Sequence, residues 1–159
     1  MDGDRDRVTE LLGRTPMGDF EVVVRRADGD PSVLRNAPLL PDGTPMPTRY
    51  WLCDPALRSA IGTIESDGGV DAVEAEFGLT AIDVIHVAYA AERDAAIPAD
   101  HVGPAPYGGV GGTRTGVKCL HAHYANWLAG NDDPIGAWTH SQLVERALLP
   151  SDTPERIAR

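Results

Sequence analysis

Between Val117 and His123 the chain reads VKCLHAH, which sets an ammonium, a thiol and two imidazoles within a few positions. Thiolate and imidazole are preferred zinc ligands, so a metal centre is the first chemistry to weigh. On a helix Cys119 and His123 stand one turn apart and share a face. His121 lies about 200° around the axis from Cys119, so those two are expected not to join one ion. A zinc site would take Cys119 and His123 and complete itself with Cys53 or another distant group. The competing reading is structural: Val117, Leu120, His121, Tyr124, Trp127 and Leu128 form one stripe of helical period, making His121 core-facing. Cys119, near Ala122 and Ala125, reads as a small buried hydrophobe. No cofactor is predicted, and zinc stays a secondary expectation.

Upstream, Gly108, Gly109, Gly111, Gly112 and Gly116 alternate with Thr113, Arg114 and Thr115. A helix beginning at Thr115 or Gly116 and ending at Gly130 would turn its unpaired N–H groups and the positive end of its dipole toward this segment, with Arg114 and Lys118 adding charge. Such a turn suits a phosphate or carboxylate. It matches neither the P-loop pattern nor the dinucleotide fingerprint. Arg26 at a strand end and Arg49 in PTRYWL are the expected anchors across the cleft, since a guanidinium forks to an anion. The expected ligand set is therefore Arg26, Arg49, Gly111, Gly112, Thr113, Arg114 and Lys118. If the site is catalytic, His121 or His123 is its general acid or base, being the residue type that titrates near neutral pH. The spacing names no nucleophile.

These residues need a frame. Val8, Leu11 and Leu12 predict a helix over 4–14, ended by Gly13 and Pro16. The β-branched run from Phe20 to Arg26 predicts a buried strand, and Asp28-Gly29-Asp30 a turn into a second strand from Ser32 to Arg35. Pro38, Pro41, Pro45 and Pro47 make a rigid loop, and a third strand follows from Thr48 to Cys53. Asp54-Pro55 is a strong helix start for 55–66. Two more helices are expected, VDAVEAEFG and one capped by Thr80 that runs to about Ala96. A loop rich in proline and glycine covers 98–112, Asn131 to Gly136 forms a turn, and a last helix runs from Trp138 to Leu148 with Thr139 as cap. The order predicts an α+β fold, a single domain over 1–159 in which a small antiparallel sheet of about three strands packs against four to six helices on one side.

Composition narrows the partners. Against 14 basic side chains stand 24 acidic ones, a net charge of −10 that repels nucleic acid and anionic lipid. The charged start MDGDRDRVTELLGR has no apolar core, and no apolar run nears the ~20 residues that span a bilayer, so a cytoplasmic protein without membrane insertion is expected. Cys53 and Cys119 form no disulfide framework and are expected to be reduced.

The run PLLPDGTPMPTRYWLCDP, with GVGG, VKCLHAH and NDDPIG after it, resembles the bacterial domain-of-unknown-function family numbered five hundred and one, over about residues 20–137. The resemblance implies no established activity. Members' genes often neighbour those of a septum-formation initiator and an exopolyphosphatase, which implies an envelope- or phosphate-related role. Many members also carry a cysteine just after the Arg25-Arg26 equivalent, where Ala27 stands here, and another after Tyr-Trp-Leu, a departure that weakens a shared multi-cysteine metal site. Two functions follow as expectations: a small anionic ligand held at the glycine turn, or a noncatalytic interaction protein of cell division or the envelope whose Pro-rich loop and Trp51, Trp127 or Trp138 meet a protein partner.

Overall fold

In the computed structural model, which describes residues 2–159, the valine-rich segment becomes β1 (Phe20–Arg25) and turns through Gly29 into β2 (Pro31–Asn36). The two strands run antiparallel, with Val22 opposite Leu34 and Arg25 opposite Pro31. A third strand, β3 (Tyr50–Leu52), pairs with the other edge of β2 and sets Trp51 opposite Leu34. The central, most buried strand is thus β2, and the apolar β1 lies at an edge.

Alternation along β2 sends Val33 and Leu34 to opposite faces. Val33 joins the main core, while Leu34 packs with Val8 of α1 (Asp2–Leu12) and with Cys53. Helices therefore cover both faces, where one covered face was expected. The reason is that α1 closes the second face with its one fully buried side chain, Val8.

After β3, Asp54 accepts from the Ala56 and Leu57 amides and opens α2 (Pro55–Ser66) as its sequence requires. Then come α3 (Gly69–Phe77) and α4 (Leu79–Ala95), whose N-cap is Gly78 rather than Thr80. Two boundaries differ further. Helix α5 (Leu120–Leu128) starts well after Thr115, and α6 (Pro134–Glu145) starts before Trp138. Asp133-Pro134 repeats the Asp54-Pro55 signature, and Asp133 accepts from the Ile135 and Gly136 amides. Thr139 lies inside that helix and donates to the Ile135 carbonyl. Among the described residues the result is an α+β arrangement of six helices and one three-stranded antiparallel sheet. No helix among the described residues is long and apolar enough to cross a membrane.

Two buried side chains of α4 hold the irregular segments in place. The guanidinium of Arg93, 1% exposed, donates from one nitrogen to the Pro47 and Gly108 carbonyls, tying the proline loop to the glycine loop. The His86 ring accepts at Nδ1 from the Val110 amide and donates from Nε2 to the Gly116 carbonyl. Gly109 lies flat on that ring, where a Cβ would overlap it. The glycine segment is consequently a fixed wall, with one tight 3-10 turn at Val110–Gly112.

Candidate functional site: a cationic cleft beside a Glu–His–Cys cluster

Gly116 takes a positive φ of 67° and Cys119 is fully extended, so the chain reaches α5 as an open strand of loop. Two amides on the way into α5 are already engaged. Val117 N–H donates to Glu74 Oε2 at 3.1 Å, and Leu120 N–H, in the first turn of α5, donates to Glu65 Oε2 at 2.8 Å. The helix N-terminus is capped by the chain's own carboxylate from α2, which corrects the expectation of a free helix start beside Gly111, Gly112 and Thr113.

The extended Cys119 also overturns the geometry that separated it from His121. The 200° offset holds between two helical residues, and Cys119 is not one. His121 donates from Nδ1 to Glu65 Oε1 at 3.0 Å, and one donor atom from each of Glu65, Cys119 and His121 lies within 4.8 Å of the others. His121 is half-buried at the protein edge, not core-facing. Burial raises the Glu65 carboxyl, but the bonds from His121 and the Leu120 amide outweigh it and hold the group below the usual glutamate range. Burial pushes the Cys119 thiol up; the Ala122 amide and Lys118 oppose this, and Glu65 adds to it.

His123 takes the place expected for His121. It is buried in the core and donates from Nδ1 to Asp133 at 2.8 Å, and Asn126 Nδ2 donates to the same carboxylate oxygen at 2.9 Å. The VKCLHAH and NDDPIG segments thus meet in one buried network, in which His123 Nδ1 is engaged by Asp133 while Nε2 has no hydrogen-bond partner among the described residues. Cys53 is fully buried beside Val8 of α1, and among the described residues Cys53, Cys119 and His123 do not gather into one donor cluster. The donors that do gather, Glu65, Cys119 and His121, are of types that zinc accepts, yet both Glu65 oxygens already carry hydrogen bonds.

Cys119 and His121 open onto a cleft of about 240 Å³ lined also by Arg14, Trp51, Arg58, Gly111 and Lys118. The Arg14 guanidinium lies 5.0 Å over the Trp51 ring, Arg58 projects from the exposed side of α2, and Lys118 Nζ donates to the Gly111 carbonyl at 3.1 Å. Among the described residues no aspartate or glutamate lines the cleft. Of the expected ligand set, only Gly111 and Lys118 are there. Arg26 pairs with Asp28 and Asp152, and Arg49 donates to the Asn36 carbonyl and borders another depression with Glu21 and Arg35. Arg114 lies 4.8 Å over the exposed Tyr107 ring, Thr113 donates to the Thr115 carbonyl, and Gly112 packs toward Pro47. Arg14 and Arg58 were missed because they come from remote segments with no local motif.

The tryptophans are partly covered. Trp51 lies beneath Arg14, Trp127 packs against the His140 ring and beneath Arg156, and Trp138 packs on the main core. A model for the family described as "Protein of unknown function (DUF501)" matches residues 22–141. Neither a curated protein nor a solved structure matches the chain.

Proposed function

The chain belongs to the DUF501 family of proteins of unknown function, and from that premise we propose that it binds a small anionic ligand, of phosphate or carboxylate type, in the cleft between α1, β3, α2 and the Lys118 segment. One observation carries this reading. In a chain of net charge −10, Arg14, Arg58 and Lys118 line one cleft that no carboxylate lines, and among the described residues none of the three makes an ion pair. Elsewhere arginines such as Arg7, Arg25, Arg35 and Arg146 are matched to acids. A local excess of positive charge against an acidic average focuses anions, and guanidinium groups bond phosphate or carboxylate oxygens in pairs.

Calorimetric titration with phosphate, pyrophosphate and short polyphosphate tests the proposal. Pyrophosphate is expected to bind with an affinity that weakens as salt rises. Arg58→Gln and Lys118→Gln should each lower it about tenfold, the scale of one charge-assisted hydrogen bond. Arg114→Gln, outside the cleft, should leave it unchanged. Absence of both heat and thermal stabilisation at millimolar ligand would remove the proposal. The other reading, a protein-docking role in division or the envelope, is favoured by exposed Leu79, Val84 and Val87 on α4 rather than by the tryptophans.

A further inference from the structure

The cleft holds a thiol with an imidazole and a carboxylate beside it. Cys119 lines the cleft beside His121, whose Nδ1–H is bound to Glu65. With Nδ1 donating to the carboxylate, the tautomer is fixed and the lone pair of Nε2 is left for another proton. Glu65 is itself held, since its second oxygen accepts from the Leu120 amide at 2.8 Å. A nucleophile, a base and a group that orients the base are the parts of a thiol or hydroxyl acyl-transfer site, recognised by mutual geometry and not by order in the chain. Three cations share the cleft, so the compound presented to the sulfur would be an anion.

We propose that Cys119 is a nucleophile, that His121 takes its proton while Glu65 positions the imidazole, and that the cleft presents to it the acyl carbon of an ester or thioester bearing a separate anionic group. This rests on the anion-binding reading and deepens it. In the first step a bond forms from Sγ to the acyl carbon and the bond from that carbon to the alkoxide or thiolate breaks; the leaving group receives the proton that His121 took from the thiol. In the second, His121 takes a proton from water as the hydroxide oxygen adds to the thioester carbon. The bond from that carbon to Sγ breaks, the carboxylic acid departs, and the proton returns to the sulfur. No oxidant or other co-reactant is needed. Because burial holds the thiol above its ordinary range, the sulfur is protonated at neutral pH and the base is required.

The alternative use of the same three residues, a bound metal ion, fits less well. Two oxygens of Glu65 are committed to the Leu120 amide and to His121, so coordination would have to break a helix cap.

The test uses two activated esters, 4-nitrophenyl succinate, which carries a free carboxylate, and the neutral 4-nitrophenyl acetate. Nitrophenolate release is followed and the acyl group located by peptide mass spectrometry, with the fully buried Cys53 as internal control. The expected result is an acyl group on Cys119 and not on Cys53, formed faster from the succinate ester, with that advantage shrinking at high salt. His121→Gln should slow acylation at least about tenfold near pH 7, with the deficit narrowing as pH rises and hydroxide takes over removal of the proton. Glu65→Gln should fall between, and Cys119→Ser should lose the adduct. Acylation of Cys119 that is His121-dependent but equal for the two esters would keep the nucleophile and reject the anion cleft. No adduct on Cys119, or one formed as fast without His121, would overturn the proposal. One equivalent of zinc bound through Cys119 and His121 in the purified protein, blocking acylation, would also overturn it.

Discussion

Asp133→Ala is expected to destabilise the protein by about 3 kcal/mol or more, because it breaks a buried hydrogen-bond network. The carboxylate is 1% exposed and does three things at once. It accepts from His123 Nδ1, it accepts from Asn126 Nδ2, and it caps α6 through the Ile135 and Gly136 amides. Alanine leaves all four donors buried without acceptors, and each unmade bond of this kind costs about 1–3 kcal/mol before relaxation. Equilibrium urea unfolding followed by circular dichroism reads the loss directly. A change below about 1 kcal/mol would mean that water replaces the carboxylate freely and that the network does not hold α5 to α6.

Gly136→Ala should be comparably damaging for a different reason. Gly136 sits in the first turn of α6 where it crosses α5, and a Cβ there would stand 2.6 Å from the His123 carbonyl oxygen and closer still to Trp127 Cβ. Backbone cannot yield as a flexible side chain would, so the two helices must part; overpacking of this kind costs about 1–3 kcal/mol and occasionally more. Gly62→Ala is the matched control. It lies in α2 with nothing within 4 Å of the added carbon, and should stabilise by about 0.5–1 kcal/mol through helix propensity. Thermal unfolding of the pair should give midpoints shifted in opposite directions. A neutral Gly136→Ala would show that the α5–α6 crossing is looser than described.

How far the chain could be read follows from where its signals are local. Asp54-Pro55 announces α2 because cap and first turn are adjacent in sequence, and the β-branched run with Asp-Gly-Asp announces the hairpin for the same reason. The equally local Asp133-Pro134 lies within Asn131 to Gly136, a run of turn-formers that predicts a turn, so the expected helix begins at Trp138, four residues after α6 does. The start of α5 was out of reach. What delays it to Leu120 is a carboxylate from α2, 55 positions away, together with positive φ at Gly116. That displacement carried the rest: with Cys119 outside the helix it meets His121, and His123 turns inward to Asp133. Gly111 and Lys118, legible from local composition, line the cleft. Arg14 and Arg58 follow from tertiary packing alone, and so does the cluster with Glu65.

The most direct measurement is the position of the bound anion. Titrating isotope-labelled protein with pyrophosphate while recording amide and arginine side-chain resonances should move signals of Arg14, Arg58, Gly111, Lys118 and His121 together, along one saturable curve, and leave those around Arg26, Arg49 and Arg114 in place. Shifts centred on Arg114 and Tyr107, or none at millimolar pyrophosphate, would contradict the assignment of the cleft as an anion site.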